Sequence, residues 1–190
     1  MIKYDLDTIL NENKELINLA KKYMSLVNDY EHDMGHVNDV VKILCELMDN
    51  LEFEFDPEVC IIAAYWHDVG RYYKDSGHEK ISAEMLENKM INLGYNKQMI
   101  DKCIAAVKFH KWNMVPNTIE GKIIKDADKL AWLGRERWER CLLNNQSLES
   151  IIDLLPKLRN EILYFDYSRV LYDKLIVEIV GILYKIKNDN

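Results

Sequence analysis

The sequence predicts an all-α protein, on three observations. Apolar residues recur at helical spacing almost throughout, no stretch combines strict alternation with β-branched enrichment over a strand's length, and helix start and stop signals fall between the periodic stretches. A first helix is expected over about residues 7–28, with Leu10, Leu16, Ile17, Leu19, Ala20, Tyr23, Met24 and Val27 as its apolar stripe. A second, over about residues 35–50, displays Val37, Val40, Val41, Leu44, Cys45 and Leu47 and places His36 in its first turn. Asp56-Pro57 starts a third, which runs nearly all apolar through Val69 and so reads as buried on most sides. Gly70 is expected to stop that helix, with RYYKDSG as a loop. A fourth helix covers about residues 78–93 and ends at Gly94; a fifth covers about 96–111, with His110 in its last turn. A sixth begins near Thr118, a capping residue, and carries Asp126, Asp128 and Leu130 towards Gly134. The remainder, about residues 135–187, supplies two or three more helices with a break or kink near Pro156.

Length and composition bound what such a bundle can be. A chain of 190 residues that is 48% hydrophobic buries a substantial single core, so one domain is expected over residues 1–190. The net charge of -7 favours solubility and gives no broad attraction to nucleic acid or anionic lipid. Cys45, Cys60, Cys103 and Cys141 stand far apart in apolar stretches, without zinc-ribbon spacing, and read as buried reduced thiols. The N-terminus lacks the apolar core of a signal peptide and no apolar run reaches a membrane span, so the cytoplasm is the expected location. No repeat, low-complexity tract or linker interrupts the chain.

Four of the five histidines form one ordered series with two aspartates: His36, the adjacent pair His67-Asp68, His78, His110, and Asp128 in the run KDADKL. Imidazole and carboxylate hold borderline and hard divalent metals, and these residues come from the ends of successive helices, where a bundle can gather them at one cleft. An uncompensated Asp68 on an otherwise apolar helix end would be costly to bury, so it requires a cation in any case. With two oxygens, Asp68 is able to bridge two ions while His67 binds one. His32 is set aside as an ordinary polar histidine, and Trp66, Trp112, Trp132 and Trp138 are read as core before they are read as the wall of a base pocket. Tyr164, Tyr167, Tyr172 and Tyr184 receive the same core reading. His78 at a helix start and His110 at a helix end also have ordinary capping readings.

The segments HDMGHVNDVV, AAYWHDVGR, GHEKISAEML, AVKFH and KDADKLAWLG, in this order, resemble the HD-domain metal-dependent phosphohydrolases, a superfamily named for its adjacent His-Asp pair. The resemblance covers about residues 31–140, with a helical extension over about 141–190, and it implies an HD-domain helical bundle. It also implies that His36, His67, Asp68 and Asp128 are the shared metal ligands, and that His78 and His110 are the extra histidines of the binuclear branch. Within the superfamily the chain is most similar to small bacterial stand-alone HD proteins, some acting on nucleoside triphosphates. Lys129, Leu130, Gly134 and Arg140 fit their pattern after the last ligand. Ala131 replaces a second aspartate, Arg137 stands where a small residue is usual, and Asp39 takes the place of an arginine.

The implied activity is metal-dependent hydrolysis of a phosphoester or phosphoanhydride in a small molecule, with a nucleotide as the expected substrate and no nucleic acid or membrane partner. One or two divalent ions, chosen from Mn, Fe, Co, Mg, Ni and Zn, would polarise the phosphate and lower the pKa of a bound water. Asp68 and Asp128 are the candidates to orient or accept a proton. Arg71, Lys74 and Lys129, with Arg135 and Arg140 further away, are cations suited to phosphate oxygens, although Arg71 and Lys74 also read as solvated loop charges. Two other readings remain in view: a diiron oxygenase of the same superfamily, and a regulatory module that binds a nucleotide without turnover.

Overall fold

The computed structural model describes residues 4–29, 31–134, 138 and 153–189, the side chains of 182–189 excepted. Among the described residues there are helices and no strands. Helix α1 is Leu6–Glu12, α2 Lys14–Met24, α3 Met34–Asn50, α4 Pro57–Trp66, α5 His78–Asn92, α6 Lys97–Lys108 and α7 Ile119–Ala131. A 3-10 turn, Val69–Tyr72, follows α4. Beyond residue 152 come a short α8, Leu154–Lys157, a π-helical turn, Leu158–Ile162, and α9, Asp166–Asp189. Among the described residues no helix is long and apolar enough to cross a membrane.

Helix α4 is the axis of the bundle. Val59 through Trp66 are buried without exception, so this helix has no solvent face to make amphipathic. It packs against α2, α3, α6 and α7, while α3 pairs with α7 and α5 with α6. Each fully buried Leu or Ile in this core, such as Leu44, Ile61, Leu86 and Ile123, contributes about 1.5–3 kcal/mol relative to exposure. Trp66 is buried too, and its indole N–H donates to the Leu16 carbonyl at 3.2 Å, which removes the cost of hiding that donor. The caps are those that the sequence offers: Asp56 before Pro57, Asn96 and Thr118 each accept a backbone N–H of the turn that follows. Gly94, at φ 79°, ends α5 in the left-handed region, with its own N–H and that of Tyr95 bonded back to Ile91 and Met90.

Four boundaries differ from the sequence expectation, each for a local reason. The first helix is two helices, interrupted at Asn13, whose side chain donates to Ile9 O and Glu58 and accepts from the Tyr95 hydroxyl at 2.6 Å. A buried asparagine so engaged competes with the helical ladder. Helix α4 stops at Trp66 rather than near Val69, and Gly70 lies inside the 3-10 turn instead of in a loop. The glycine serves close approach: a Cβ there would lie 2.2 Å from His78 O and 2.8 Å from Ser82 N. His110 lies just past α6, which ends at Lys108. Pro156 sits in the first turn of α8, where its missing N–H costs nothing, and the chain breaks further on, at Leu163–Phe165.

Asp126, in the same helix turn as Asp128, does a different job. It is fully buried and accepts the backbone N–H groups of Tyr164 and Phe165 at 3.0–3.2 Å, which ties the C-terminal segment to α7. Burial pushes its carboxyl up to about 6. Tyr172 is core, donating its hydroxyl to Leu155 O, whereas Tyr164 and Tyr167 are only partly buried and the Tyr184 side chain lies outside the described residues. Cys60 and Cys103 are buried free thiols, Cys45 a half-buried one, and Cys141 lies outside the described residues.

Candidate metal centre

The starts of α3 and α5, the ends of α4 and α6 and the second half of α7 meet at one end of the bundle. Asp33 caps α3 by accepting the His36 N–H at 3.1 Å, which sets His36 in the first turn. His67 is the C-cap of α4, and Asp68 follows at φ -107°, ψ 2°, a sparsely populated backbone region. Leaving the helix at this point lets two consecutive side chains face one space, which a continuing helix, turning about 100° per residue, would forbid.

Six side chains converge there as two buried triads, His36/His67/Asp128 and Asp68/His78/His110. In the first, His36 Nε2 is 3.2 Å from Asp128 Oδ1 and 3.4 Å from His67 Nε2. In the second, His78 Nε2 is 3.0 Å from Asp68 Oδ1 and 3.2 Å from His110 Nε2, with His110 Nε2 3.4 Å from Asp68 Oδ1. The other Asp68 oxygen, Oδ2, faces the first triad at 3.6 Å from His67 Nε2 and 3.9 Å from His36 Nε2. One carboxylate therefore offers an oxygen to each triad.

The histidine rings are oriented by the backbone. His67, His78 and His110 each donate Nδ1–H to a carbonyl three residues earlier, Ala64 at 2.8 Å, Asp75 at 2.7 Å and Val107 at 2.7 Å. A carbonyl only accepts, so in the neutral ring the Nε2 lone pair is left pointing inward. Two such nitrogens, those of His78 and His110, lie 3.2 Å apart and cannot hydrogen-bond each other, and Asp68 Oδ1 is buried without a hydrogen-bond partner. Converging lone pairs of nitrogen and oxygen are the donor set of a borderline or hard divalent cation, and the residues present fit one or two such ions.

Electrostatics point the same way. Desolvation pulls His67 down to about 3, against the pull of Asp68 and Asp128, which keeps it neutral as ligation requires. For Asp68 burial raises the carboxyl, and the fixed positive charge of Arg71 beside Oδ2 works against that and holds it low. At Asp128 burial likewise raises the carboxyl, and the Lys129 ammonium beside Oδ2 overcomes it. Arg71 Nε lies 2.9 Å from Asp68 Oδ2 and its guanidinium also pairs with Asp75; Lys129 Nζ lies 2.5 Å from Asp128 Oδ2.

The second triad opens into a cavity of about 320 Å³ that also includes Asp128 in its wall. Arg71 and Lys129 of the expected substrate contacts line it; Lys74 is exposed and does not, and Arg135 and Arg140 lie outside the described residues. Four wall residues that the sequence did not place there are His32, Lys111, Asn113 and Leu154. His32 is held by Asp29, whose carboxylate takes its Nδ1 at 2.7 Å, and Lys111 by Glu79 at 3.1 Å. The adjacent pairs His78-Glu79 and His110-Lys111 were the available signal for the latter.

These features define an all-α protein with a buried six-residue cluster, able to hold a metal, at the ends of its helices. The HD domain family model matches residues 33–133, more than half of the chain, and the chain belongs to that family. No curated protein sequence matches it closely. Its fold is similar to that of a predicted HD superfamily hydrolase from an uncultured Thermotogales bacterium, at 19% identity and TM-score 0.76 over 98% of this chain and 99% of that one. It is also similar to Bacillus subtilis YpgQ, solved in complex with ADP, at 20% identity and TM-score 0.71 over 96% and 97%. Family and fold together support a metal-dependent hydrolase.

Proposed function

We propose that the protein is a metal-dependent phosphohydrolase that cleaves a phosphoester or phosphoanhydride bond of a small molecule, a nucleotide. The observation that carries this reading is Asp68, whose two oxygens face two separate triads, flanked by cations on the wall of an open cavity. His36, His67, Asp68 and Asp128 would hold one divalent ion and Asp68, His78 and His110 a second, and such ions would supply Lewis acidity and a water of lowered pKa. Arg71 and Lys129 hold phosphate oxygens by charge-assisted hydrogen bonds, exchanging part of their pairing with Asp68 and Asp128 for the substrate. Asp68 and Asp128, acceptor-only at neutral pH, orient the attacking water or take its proton. The ADP bound by the structurally similar YpgQ supports the choice of a nucleotide.

The test is turnover by metal-analysed protein of a panel of nucleotides and phosphorylated metabolites, with Mn, Co, Mg, Ni, Zn or Fe, following phosphate, pyrophosphate and oxygen together. At least one nucleoside phosphate should be hydrolysed. Hydrolysis confined to sugar or head-group phosphates would remove the nucleotide, and oxygen consumption with iron would replace the hydrolase by an oxygenase.

A further inference from the structure

The four tryptophans fall into two pairs. Trp66 and Trp138 are almost fully buried, whereas Trp112 and Trp132 are half-buried and line the cavity beside the second triad. Their ring centroids are 6.5 Å apart and the planes stand at 77°, so one ring presents an edge towards the other and two apolar faces bound a corner. Trp132 is backed by Trp138 at 5.5 Å, and the Trp138 indole N–H donates to the Trp132 carbonyl at 2.9 Å.

Trp112 sits on the loop after α6, which is pinned from within. Lys125, 2% exposed, donates Nζ to the carbonyls of Trp112, at 3.0 Å, and Met114. Burying an ammonium is costly, and burial pulls this one down to about 8. The loop backbone under Trp112 is thus fixed before any ligand arrives, although its indole remains accessible. A half-exposed indole on a fixed backbone, walling a cavity with cations and a metal site on the other side, suits a ligand with a flat uncharged end and an anionic end. A sugar phosphate offers hydroxyls where the corner offers π faces.

We infer that Trp112 and Trp132 seat an aromatic base, so that the substrate is a base-bearing phosphate whose base stacks in this corner while its phosphates face Arg71, Lys129 and the triads. Asn113, exposed at the rim, has an amide able to donate to and accept from the edge of the base. This rests on the nucleotide phosphohydrolase reading above and assigns the seat of the base. Base-on-indole stacking is tolerant of sequence, so purine and pyrimidine both fit the corner, with the larger purine face gaining more.

The experiment is calorimetric binding to the metal-loaded enzyme of two non-hydrolysable ligands that share one head group, α,β-methylene-ADP and methylenediphosphonate. The adenosine-bearing ligand should bind about tenfold or more tightly. Trp112→Leu should remove most of that advantage while leaving methylenediphosphonate affinity and ion content unchanged, and Trp112→Phe should restore much of it. Trp132→Phe, which keeps a ring against Trp138, should weaken the adenosine-bearing ligand alone. Equal affinity for the two ligands, or a ratio that Trp112→Leu and Trp112→Phe leave unaltered, overturns the base seat while the phosphohydrolase reading stands. Failure of both ligands to bind, with no nucleotide turned over, overturns both.

Discussion

The two triads are held by different means. The first takes its residues from α3, the end of α4 and α7, elements that pack on one another along the core, and His36 and Asp128 are fixed by the burial of the helices that carry them. The second gathers the turn after α4, the first residue of α5 and the residue just past α6, and it depends on hydrogen bonds at helix ends and on the Glu79–Lys111 pair between those ends. The first half of the site is a by-product of the core; the second is assembled by polar contacts. The halves should therefore respond unequally to substitution.

Asp68 belongs to both halves, and its loss should have the largest effect. Asp68→Ala should abolish ion binding and lower turnover by more than the roughly 100-fold that loss of an outer hydrogen-bond partner costs a metal site, with the α-helical circular dichroism spectrum kept. Metal analysis showing full ion content in that variant would end the bridging assignment. His110→Ala and His36→Ala should then separate the halves. The first variant should hold one ion in place of two and keep its affinity for that ion, and the second should weaken the ion beside Asp128; anomalous scattering from crystals of each reads out which position empties.

A smaller effect is expected from Glu79→Gln, which removes the negative charge opposite Lys111 and leaves all six triad residues in place. The second ion should weaken by roughly 10-fold and the first should be unchanged, as measured by titration with a metal chelator. Equal weakening of both would mean that the halves are one rigid unit. The smallest effect concerns Lys125, whose folded pKa of about 8 lies below its ordinary 10.5. The unfolded chain then binds more protons between these values, so this group makes the protein more stable as pH rises from about 8 towards 10.5. Urea unfolding at pH 8 and pH 10 should show that increment in the natural protein and not in Lys125→Met.

Most of the helices and the six residues that converge in the two triads were legible because both are written in local pattern: apolar periodicity, Asp-Pro and Thr caps, and histidines and aspartates at the ends of apolar runs. What sequence did not reveal depends on partners distant along the chain. Asn13 breaks the first helix because Glu58 and Tyr95 reach it, and nothing between residues 7 and 28 foretells them. Asp126 and Asp128 look alike in KDADKL, yet one caps the C-terminal segment and the other joins the first triad, since neighbouring turn positions of α7 face different parts of the fold. Arg71 reads from sequence as a phosphate-binding cation or a solvated loop charge and is paired with Asp68 and Asp75. Trp112 and Trp132 share the spacing of core residues, and only the placement of their loop and helix end leaves them in the cavity wall.

The close seating of Gly70 against the start of α5 bears on how the site comes together. Its N–H donates to Ser82 Oγ at 2.8 Å, and the bare Cα admits the His78 carbonyl, so Asp68 and His78 are brought together by a short stretch of chain. Closing a short loop forfeits less chain entropy than closing a long one, and the span from His36 to Asp128 is much the longer. The two triads thus stand at opposite ends of a scale of connectivity. The Asp68–His78 contact is nearly a local feature of the chain, whereas the pairing of His36 with Asp128 exists only when most of the topology has closed around it.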